Sequence, residues 1–395
     1  MRSRSKQAGV GAIILIALIA TLMIGVLISA LSGKSSQNQF DDKTYPVLAL
    51  AERALIAYAA GNPTAPGRLP CPDTTNTGLA DASCGVVGAN ALGRLPWKTL
   101  GLPDLRDGSG ECLWYAVSGT FKENPSTASL NSDATGQFVI LDGAGNTLAG
   151  ATAQTRAIAV VFAPGPGLAA NNRAGVGTTQ CGGNTTAANY LDTAGAINNA
   201  APLPGVATFA AGTPSDTFND RLGFITPAEF FPPLERRVAG EIKKVLAAYY
   251  AANGYYPFAN DYTPPYNCTP LATRGLLPLS ISTGCPGLAD WVGLPGWVAS
   301  DQWNAVTYYT VAPACTNATP SCAGIGFLTV NNTAAPNNDK RALIIEAGRA
   351  IGPQLRPCAS VTDCLDGAVN TAGTDTYEIQ PASPTFDDVV VVVAP

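Results

Sequence analysis

The side chains of this chain that could perform acid–base chemistry are carboxylates, because its 395 residues include no histidine. Ser-His-Asp and Cys-His catalytic arrangements are therefore excluded. Two carboxyl groups can divide the roles of general acid and general base when a fold brings them together. Four aspartates are candidates for such a pair: Asp261, Asp301, Asp387 and Asp388. Aspartates just before strands more often bind local backbone amides, which is the role we expect for Asp220 and Asp388.

Other catalytic and metal-binding motifs are sparse. The spacing S-x-x-K occurs only from Ser3 to Lys6, and neither G-x-S-x-G nor a P-loop is present. The segment DTTNTG at 73–78 resembles a calcium loop, but its third and fifth positions, Thr75 and Thr77, lack carboxylates. The usual zinc spacings are also missing, since there is no histidine and no C-x-x-C. We therefore predict a protein that is not an enzyme and that holds neither a metal nor a cofactor.

The cysteines predict disulfide bonds rather than catalysis. An even set of cysteines in an exported protein is most simply explained by pairing in an oxidising compartment. Close neighbours along the chain would close short loops and leave Cys112 with Cys181, although sequence alone does not determine the pairing. The ten disulfide candidates are Cys71, Cys84, Cys112, Cys181, Cys268, Cys285, Cys315, Cys322, Cys358 and Cys364.

The N-terminus combines a basic leader, residues 1–9, with an apolar run from Val10 to Leu31 that contains no charge, no proline and no amide side chain. At about 1.5 Å per residue, this run would span roughly 33 Å as a helix, close to the hydrocarbon thickness of a bilayer. We predict a transmembrane helix over residues 10–33, with the leader in the cytoplasm by the positive-inside rule. A secretory signal peptide ending near Ala30-Leu31-Ser32 and a plain single-pass anchor remain open alternatives.

Composition limits the partners of the exported part. The chain has 23 Lys+Arg and 28 Asp+Glu, and without the three cations of the leader the balance is 20 against 28, a net charge of −8. This charge disfavours phosphate backbones, so we expect no nucleic-acid partner. The 41 glycines, 31 prolines and 13% charged residues predict a loop-rich body that is long enough for two domains.

An internal repeat indicates that these two domains are similar. ERALIAYAAGN at 52–62 aligns without gaps on KKVLAAYYAAN at 243–253. Shorter matches follow in the same order in both halves: LPW at 95–97 with LPGW at 294–297, Asp107 before Tyr115 with Asp301 before Tyr309, RAIAVVFAPG from 156 with RALIIEAG from 341, Gly165 before Arg173 with Gly348 before Arg356, Leu191-Asp192 with Leu365-Asp366, and FND at 218–220 with FDD at 386–388. We predict a first head over residues 34–232 and a second over 233–395.

Each half shows the same order of secondary-structure signals. A stretch with apolar residues at helical spacing ends near Asn or Gly, and short β-rich runs follow, such as AIAVVFA in the first half and ALIIEA in the second. LDGAGN at 141–146 is typical of a hairpin turn. The predicted fold class is α+β: an N-terminal transmembrane helix followed by two tandem heads, each a helix packed on a small antiparallel sheet.

These features together resemble the type IV pilins and the type II secretion pseudopilins. The resemblance rests on the leader ending in Gly9, the apolar segment after it, the α+β heads, DQWNAVTYY at 301–309, and the loops RLPCPD and LPWKTLGL. It implies that a prepilin peptidase cuts after Gly9, making Val10 the new N-terminus, with Gly11 as a second choice. It also implies that both heads are pilin-like and that the chain has a structural role among other pilin or pseudopilin subunits.

One departure from the family pattern refines the expected role. Most members carry Glu at the fifth mature position, where this chain has Ile14, and no Asp or Glu occurs from Val10 to Leu31. A subunit at a filament tip has no next subunit to pair with that acid. We therefore expect a minor subunit that initiates, caps or joins a type IV pilus or a secretion pseudopilus. Its expected place is the inner membrane, as a single-pass protein with the heads in the periplasm; a membrane-anchored adhesin or partner-binding protein is the alternative.

Overall fold

The computed structural model describes residues 37–174, 181, 183–202, 204–318, 322, 326–331 and 337–394. The predicted leader and the predicted transmembrane segment 10–33 lie outside these residues. In the described part of the chain, no helix is both long enough and apolar enough to cross a membrane. The predicted fold class, with its N-terminal transmembrane helix, is therefore corrected: the described residues form a strand-rich chain with fifteen strands and four α-helices.

The two long helices are amphipathic, which is the physical reason for this correction. Helix α1, described over residues 37–61, buries Leu48, Ala51 and Leu55 at three- and four-residue spacing. Helix α2 (Pro227–Asn253) buries a similar stripe and carries charged residues on its other faces. Such charges would each cost about 2.5–3.5 kcal/mol at the centre of a bilayer.

Local sequence sets both ends of α2. Thr226 precedes the helix, and its backbone N–H and hydroxyl both donate to the Glu229 carboxylate, at 3.1 and 2.9 Å. This arrangement satisfies groups that the first helical turn leaves unpaired. The helix ends at Gly254, whose φ of 76° suits a residue without a Cβ. The head boundary proposed from the sequence, between residues 232 and 233, falls inside this helix.

Each long helix is followed by a four-stranded antiparallel sheet, and both sheets have the same strand order. The first contains, in spatial order, β1 (Ala91–Arg94), β2 (Trp114–Val117), β5 (Ala159–Ala163) and β9 (Arg221–Ile225). The second contains β10 (Arg274–Leu276), β11 (Thr307–Val311), β13 (Ala342–Glu346) and β15 (Val389–Ala394). We call residues 37–226 head one and residues 227–394 head two.

Smaller elements decorate the two sheets. In head one, β3 (Phe138–Asp142) pairs antiparallel with β4 (Thr147–Ala149) and parallel with β8 (Ala207–Ala211), while β6 (Thr193–Ala194) pairs with β7 (Ile197–Asn198). In head two, β12 (Thr329–Val330) pairs parallel with β14 (Thr376–Tyr377), and two short helices are α3 (Gly296–Ser300) and α4 (Val361–Cys364). The hairpin between β3 and β4 confirms the turn predicted at 141–146.

The two heads share one continuous hydrophobic core and are joined by buried polar contacts. Arg68 of head one pairs with Asp301 of head two at 3.0 Å, and their side chains are only 3% and 8% exposed. Arg68 also donates to the carbonyl oxygens of Thr120 and Thr127. Burial raises the pKa of Asp301 even though Arg68 favours its charged form. Neither member of this pair can be removed without leaving a buried charge.

We expect Arg68→Ala to lower the free energy of unfolding by about 3 kcal/mol or more, because Asp301 would stay buried without its cation. Urea denaturation followed by circular dichroism measures the change. The matched control is Arg106→Ala, since Arg106 pairs with Asp104 where both side chains are about one third exposed. That variant should lose less than about 1 kcal/mol. Equal losses in the two variants would contradict a special role for the contact between the heads.

Five disulfide bonds confirm the disulfide prediction, and they join the pairs that the sequence favoured. In head one, Cys71 is bonded to Cys84 and Cys112 to Cys181. In head two the bonded pairs are Cys268–Cys285, Cys315–Cys322 and Cys358–Cys364. The Cys112–Cys181 bond spans 69 residues and the others span 6 to 17, so it restricts the unfolded chain most.

Loop length predicts how much each disulfide bond contributes to the free energy of unfolding. Replacing Cys112 and Cys181 together by Ala should cost about 4 kcal/mol, because closing the long loop removes most entropy from the unfolded chain. The same double replacement at Cys315 and Cys322, which are 7 residues apart, should cost about 2.5 kcal/mol. Thermal unfolding under non-reducing conditions measures both. A reversed order would show that native-state contacts, not loop closure, decide the ranking.

Candidate functional site

Four aspartates were candidates for an acid–base pair, and the structure places most of them far apart. Asp261 is exposed on a loop, and Asp301 is paired with Arg68 between the heads. Only Asp387 and Asp388 occupy one site, at the start of β15. The proposed cleavage site, Gly9 and Val10, lies outside the described residues.

A buried cluster of three side chains lies at the start of β9, and we call it the head-one cluster (Asp192, Asn199, Asp220). Asp220 Oδ2 accepts the backbone N–H of Asp192 at 2.8 Å and the side-chain amide of Asn199 at 2.9 Å. Asp192 Oδ2 in turn accepts the backbone N–H of Asn219 at 2.8 Å. Asn199 accepts the N–H of Ala210 at 2.9 Å. The cluster thus ties β8 and the loop after Tyr190 to the start of β9.

Head two repeats this arrangement with the head-two cluster (Asp366, Asn370, Asp388). Asp388 Oδ2 accepts the N–H of Asp366 at 3.0 Å and the side-chain amide of Asn370 at 2.9 Å. Asp366 Oδ2 accepts the N–H of Asp387 at 2.8 Å. Asn370 accepts the N–H of Glu378 at 2.8 Å. Asp220 and Asp388 do bind backbone amides, but the prediction that these amides are local is wrong: the donors lie 28 and 22 residues away along the chain.

An arginine secures the strand end beside each cluster. Arg173 donates to the carbonyl oxygen of Gly165 at 2.7 Å, just after β5. Arg356 donates to the carbonyl oxygen of Ala347 at 3.2 Å, just after β13. These are the residues that the Gly-to-Arg spacing of the repeat had matched. The repeated sequence positions are therefore the positions that hold the loops of each head in place.

The sequence comparison missed Asn199 and Asn370, although each is central to its cluster. Asn199 lies seven residues after Asp192, whereas Asn370 lies four residues after Asp366. A comparison without gaps cannot align them. The signal that could have revealed them is the presence of an asparagine between LD and FND or FDD in both halves.

Burial dominates the electrostatics of these clusters. It raises the pKa of Asp220 to about 8, and the neighbouring Asp192 carboxylate adds to the rise. Burial likewise raises the pKa of Asp388 well above its ordinary value. In each of these two carboxyl groups, Oδ2 accepts two N–H donors and holds the loop, whereas Oδ1 is buried without a donor.

The residues considered for metal binding are engaged in other contacts. Asp73, the first residue of the calcium-like loop, accepts the N–H of Thr75 at 2.9 Å and of Gly78 at 2.6 Å, so the turn itself uses its oxygens. Among the described residues, one group has side chains close enough for a shared metal: Asp104, Cys112 and Cys181. Those two sulfur atoms form a disulfide and are not thiolate ligands.

Comparison of the chain with protein-family models, with curated protein sequences and with solved structures finds no match. The function is therefore argued from the geometry of the chain itself.

Asp220→Asn should flatten the pH dependence of stability. The folded-state pKa near 8 lies above the unfolded value of about 3.9. Between these values the folded protein keeps a proton that the unfolded chain has lost, so the wild type loses up to about 1.4 kcal/mol per pH unit relative to the variant. Urea denaturation at pH 5, 6 and 7 measures the difference.

Asp216→Asn, at an exposed position of the same loop, is the matched control. Its free energy of unfolding should differ from that of the wild type by the same amount at each pH. If the Asp220→Asn difference were also independent of pH, Asp220 would be ionised in the folded protein and the cluster would carry a negative charge.

Proposed function

We propose that the chain is a structural subunit that acts by binding other protein subunits outside the cytoplasm. In its specific form, the proposal is a minor pilin-like or pseudopilin-like subunit that initiates, caps or joins a filament. The five disulfides support the oxidising location, since such bonds persist in the periplasm and outside the cell.

The observation that carries the proposal is the double head. Two units, each a long helix followed by four antiparallel strands in the same order, occur in one chain. The Arg68–Asp301 pair and the shared core join them, and Arg356 of head two adds an ion pair with Asp133 of head one at 3.2 Å. A subunit with two joined heads is bulkier than its single-headed partners, which suits the end of a filament better than its repeating body.

The arrangement of buried side chains that both heads repeat also supports a structural role. In both copies the buried aspartates use their oxygens to hold backbone amides, and the arginines hold strand ends. Residues used in this way preserve the shape of a head. A subunit that binds other proteins needs heads of defined shape, and the same contacts define the shape of both heads.

Affinity purification of the full chain from its native host tests the proposal. We expect co-purification of other pilin-like subunits, and deletion of the chain should reduce the number of assembled filaments or the secretion that depends on them. Complementation with the wild type should restore both. A chain that instead binds a surface or matrix ligand, while its deletion leaves filaments and secretion unchanged, would contradict the proposal and favour the adhesin alternative.

The same preparation tests cleavage after Gly9. Intact mass measurement should give a mature chain beginning at Val10 when the prepilin peptidase is present and at Met1 when it is absent. An identical N-terminus in both strains, at Met1 or near Gly33, would remove the pilin-like form of the proposal.

A further inference from the structure

Head two contains a cavity of about 500 Å³ between the first half of α2 and the start of β15. Its wall combines apolar and acidic side chains. The apolar members are Phe231, Ile351 and Ile379, and the acidic members are Glu235, Asp387 and Asp388.

The carboxyl groups in and beside this cavity are only partly satisfied by hydrogen bonds. Glu235 is 2% exposed and accepts no hydrogen bond from any described residue. One oxygen each of Asp387 and Asp388 is also buried without a donor, and so is Oε1 of Glu346, which lies near Glu235. Burial raises the pKa of Glu346 to about 8 and that of Asp387 to about 7. Buried acids are costly in the ionised form, so they keep their protons to higher pH unless a cation compensates their charge.

Two arginines line the cavity, and neither guanidinium group is paired with its carboxyl groups in the described part of the chain. The guanidinium of Arg349 donates to the carbonyl oxygen of Gln154 in head one, and its backbone N–H donates to Asp387 Oδ2 at 3.2 Å. Arg236 is exposed on α2. Among the described residues, neither guanidinium forms an ion pair with Glu235, although the charges of both oppose the rise in its pKa caused by burial and by Asp387 and Glu346.

Head one has a corresponding cavity of about 400 Å³, and there the chain supplies its own cation. The guanidinium of Arg221 lies against Asp41, with Nε 2.8 Å from Oδ1, and 5.7 Å from the ring centre of Phe40. The repeat alignment that matches 52–62 with 243–253 pairs Phe40 with Phe231. The match of FND with FDD pairs Arg221 with Val389. Head two thus keeps the aromatic ring and loses the arginine.

Head two also gains acids where head one has none. The same alignments place Glu235 opposite Thr44 and Asp387 opposite Asn219, and the match of Gly165 with Gly348 places Glu346 opposite Ala163. Glu235 and Asp387 line the cavity of head two, and Glu346 pairs across the sheet with Val389 as Ala163 pairs with Arg221 in head one. Loss of the internal cation and gain of three acids point to a cation that comes from outside.

The size and arrangement of the site favour an organic cation over a metal ion. A metal ion needs several oxygens converging at about 2.3–2.6 Å. Among the described residues, these carboxylates do not form a group close enough to share a metal. A cavity of about 500 Å³ with an aromatic wall has room for a cationic group together with its aliphatic stem.

We propose that this cavity binds an organic cation, a guanidinium group on an aliphatic stem, in the place that corresponds to Arg221 of head one. Glu235, Asp387 and Asp388 would accept from the cationic head, and Phe231 would pack against it. This inference goes beyond the proposed function and does not depend on it, because it concerns one cavity and not the assembly.

Isothermal titration calorimetry of the full chain with n-butylguanidinium and with N-acetyl-arginine methylamide tests the proposal. Both probes carry the same charged group, and the second mimics an arginine in a peptide. We expect saturable binding of at least one probe, with n-butanol giving none. Tighter binding of the peptide mimic would indicate a protein side chain as the source, and tighter binding of the small probe a free cation.

Val389→Arg should place a cation of the chain's own in the cavity and weaken binding at least tenfold. The matched control is Thr385→Arg, which adds the same charge at an exposed position that does not line the cavity. It should leave affinity within about twofold of the wild type. Circular dichroism verifies that both variants are folded.

The combined variant Glu235→Thr, Glu346→Ala and Asp387→Asn restores the residues of head one and should also weaken binding at least tenfold, which keeps the test decisive if Val389→Arg does not fold. Absence of saturable binding at millimolar probe would overturn the proposal. So would equal losses in Val389→Arg and Thr385→Arg. Calcium chloride that binds the wild type, but not the combined variant, would assign the acids to a metal and overturn it as well.

Discussion

The fold of each head depends on one buried aspartate that holds the backbone amide of a facing loop. Asp220 and Asp388 stand at the starts of the last strands, and each accepts an N–H from the second aspartate of its cluster. Because a buried carboxyl group without donors is costly, the loop must stay where its amide can reach the oxygen. A single constraint of this kind positions the last strand, the preceding loop and the arginine beside them.

The two copies of this plan have diverged in how they balance buried charge. Head one surrounds Arg221 with Asp41 and Phe40, so its cavity is neutralised from within. Head two has Val389 at the matching position and carries Glu235, Glu346 and Asp387, whose pKa values burial raises. Duplication allows such divergence, since one head can keep the stable arrangement while the other acquires a binding surface.

Several features could be predicted because they depend on residues close together in the chain. The apolar stripe of α1 follows from the spacing of Leu48, Ala51 and Leu55, and the short disulfides follow from neighbouring cysteines. The fold class with a transmembrane helix was wrong for the described residues, because their long helices are amphipathic and none could cross a membrane. Asn199 and Asn370 were missed, because loops of unequal length conceal their equivalence.

The sequence by itself determined the repeat, the even number of cysteines and the absence of histidine chemistry, since these are properties of residue type and order. Only the tertiary structure decided which distant groups meet. It brings Arg68 to Asp301 across 233 residues and gathers Glu235, Glu346 and Asp387 from a helix and two strand ends. The physical reason is that packing of helices on sheets sets these distances, and no local pattern encodes the burial that makes an acid need a cation.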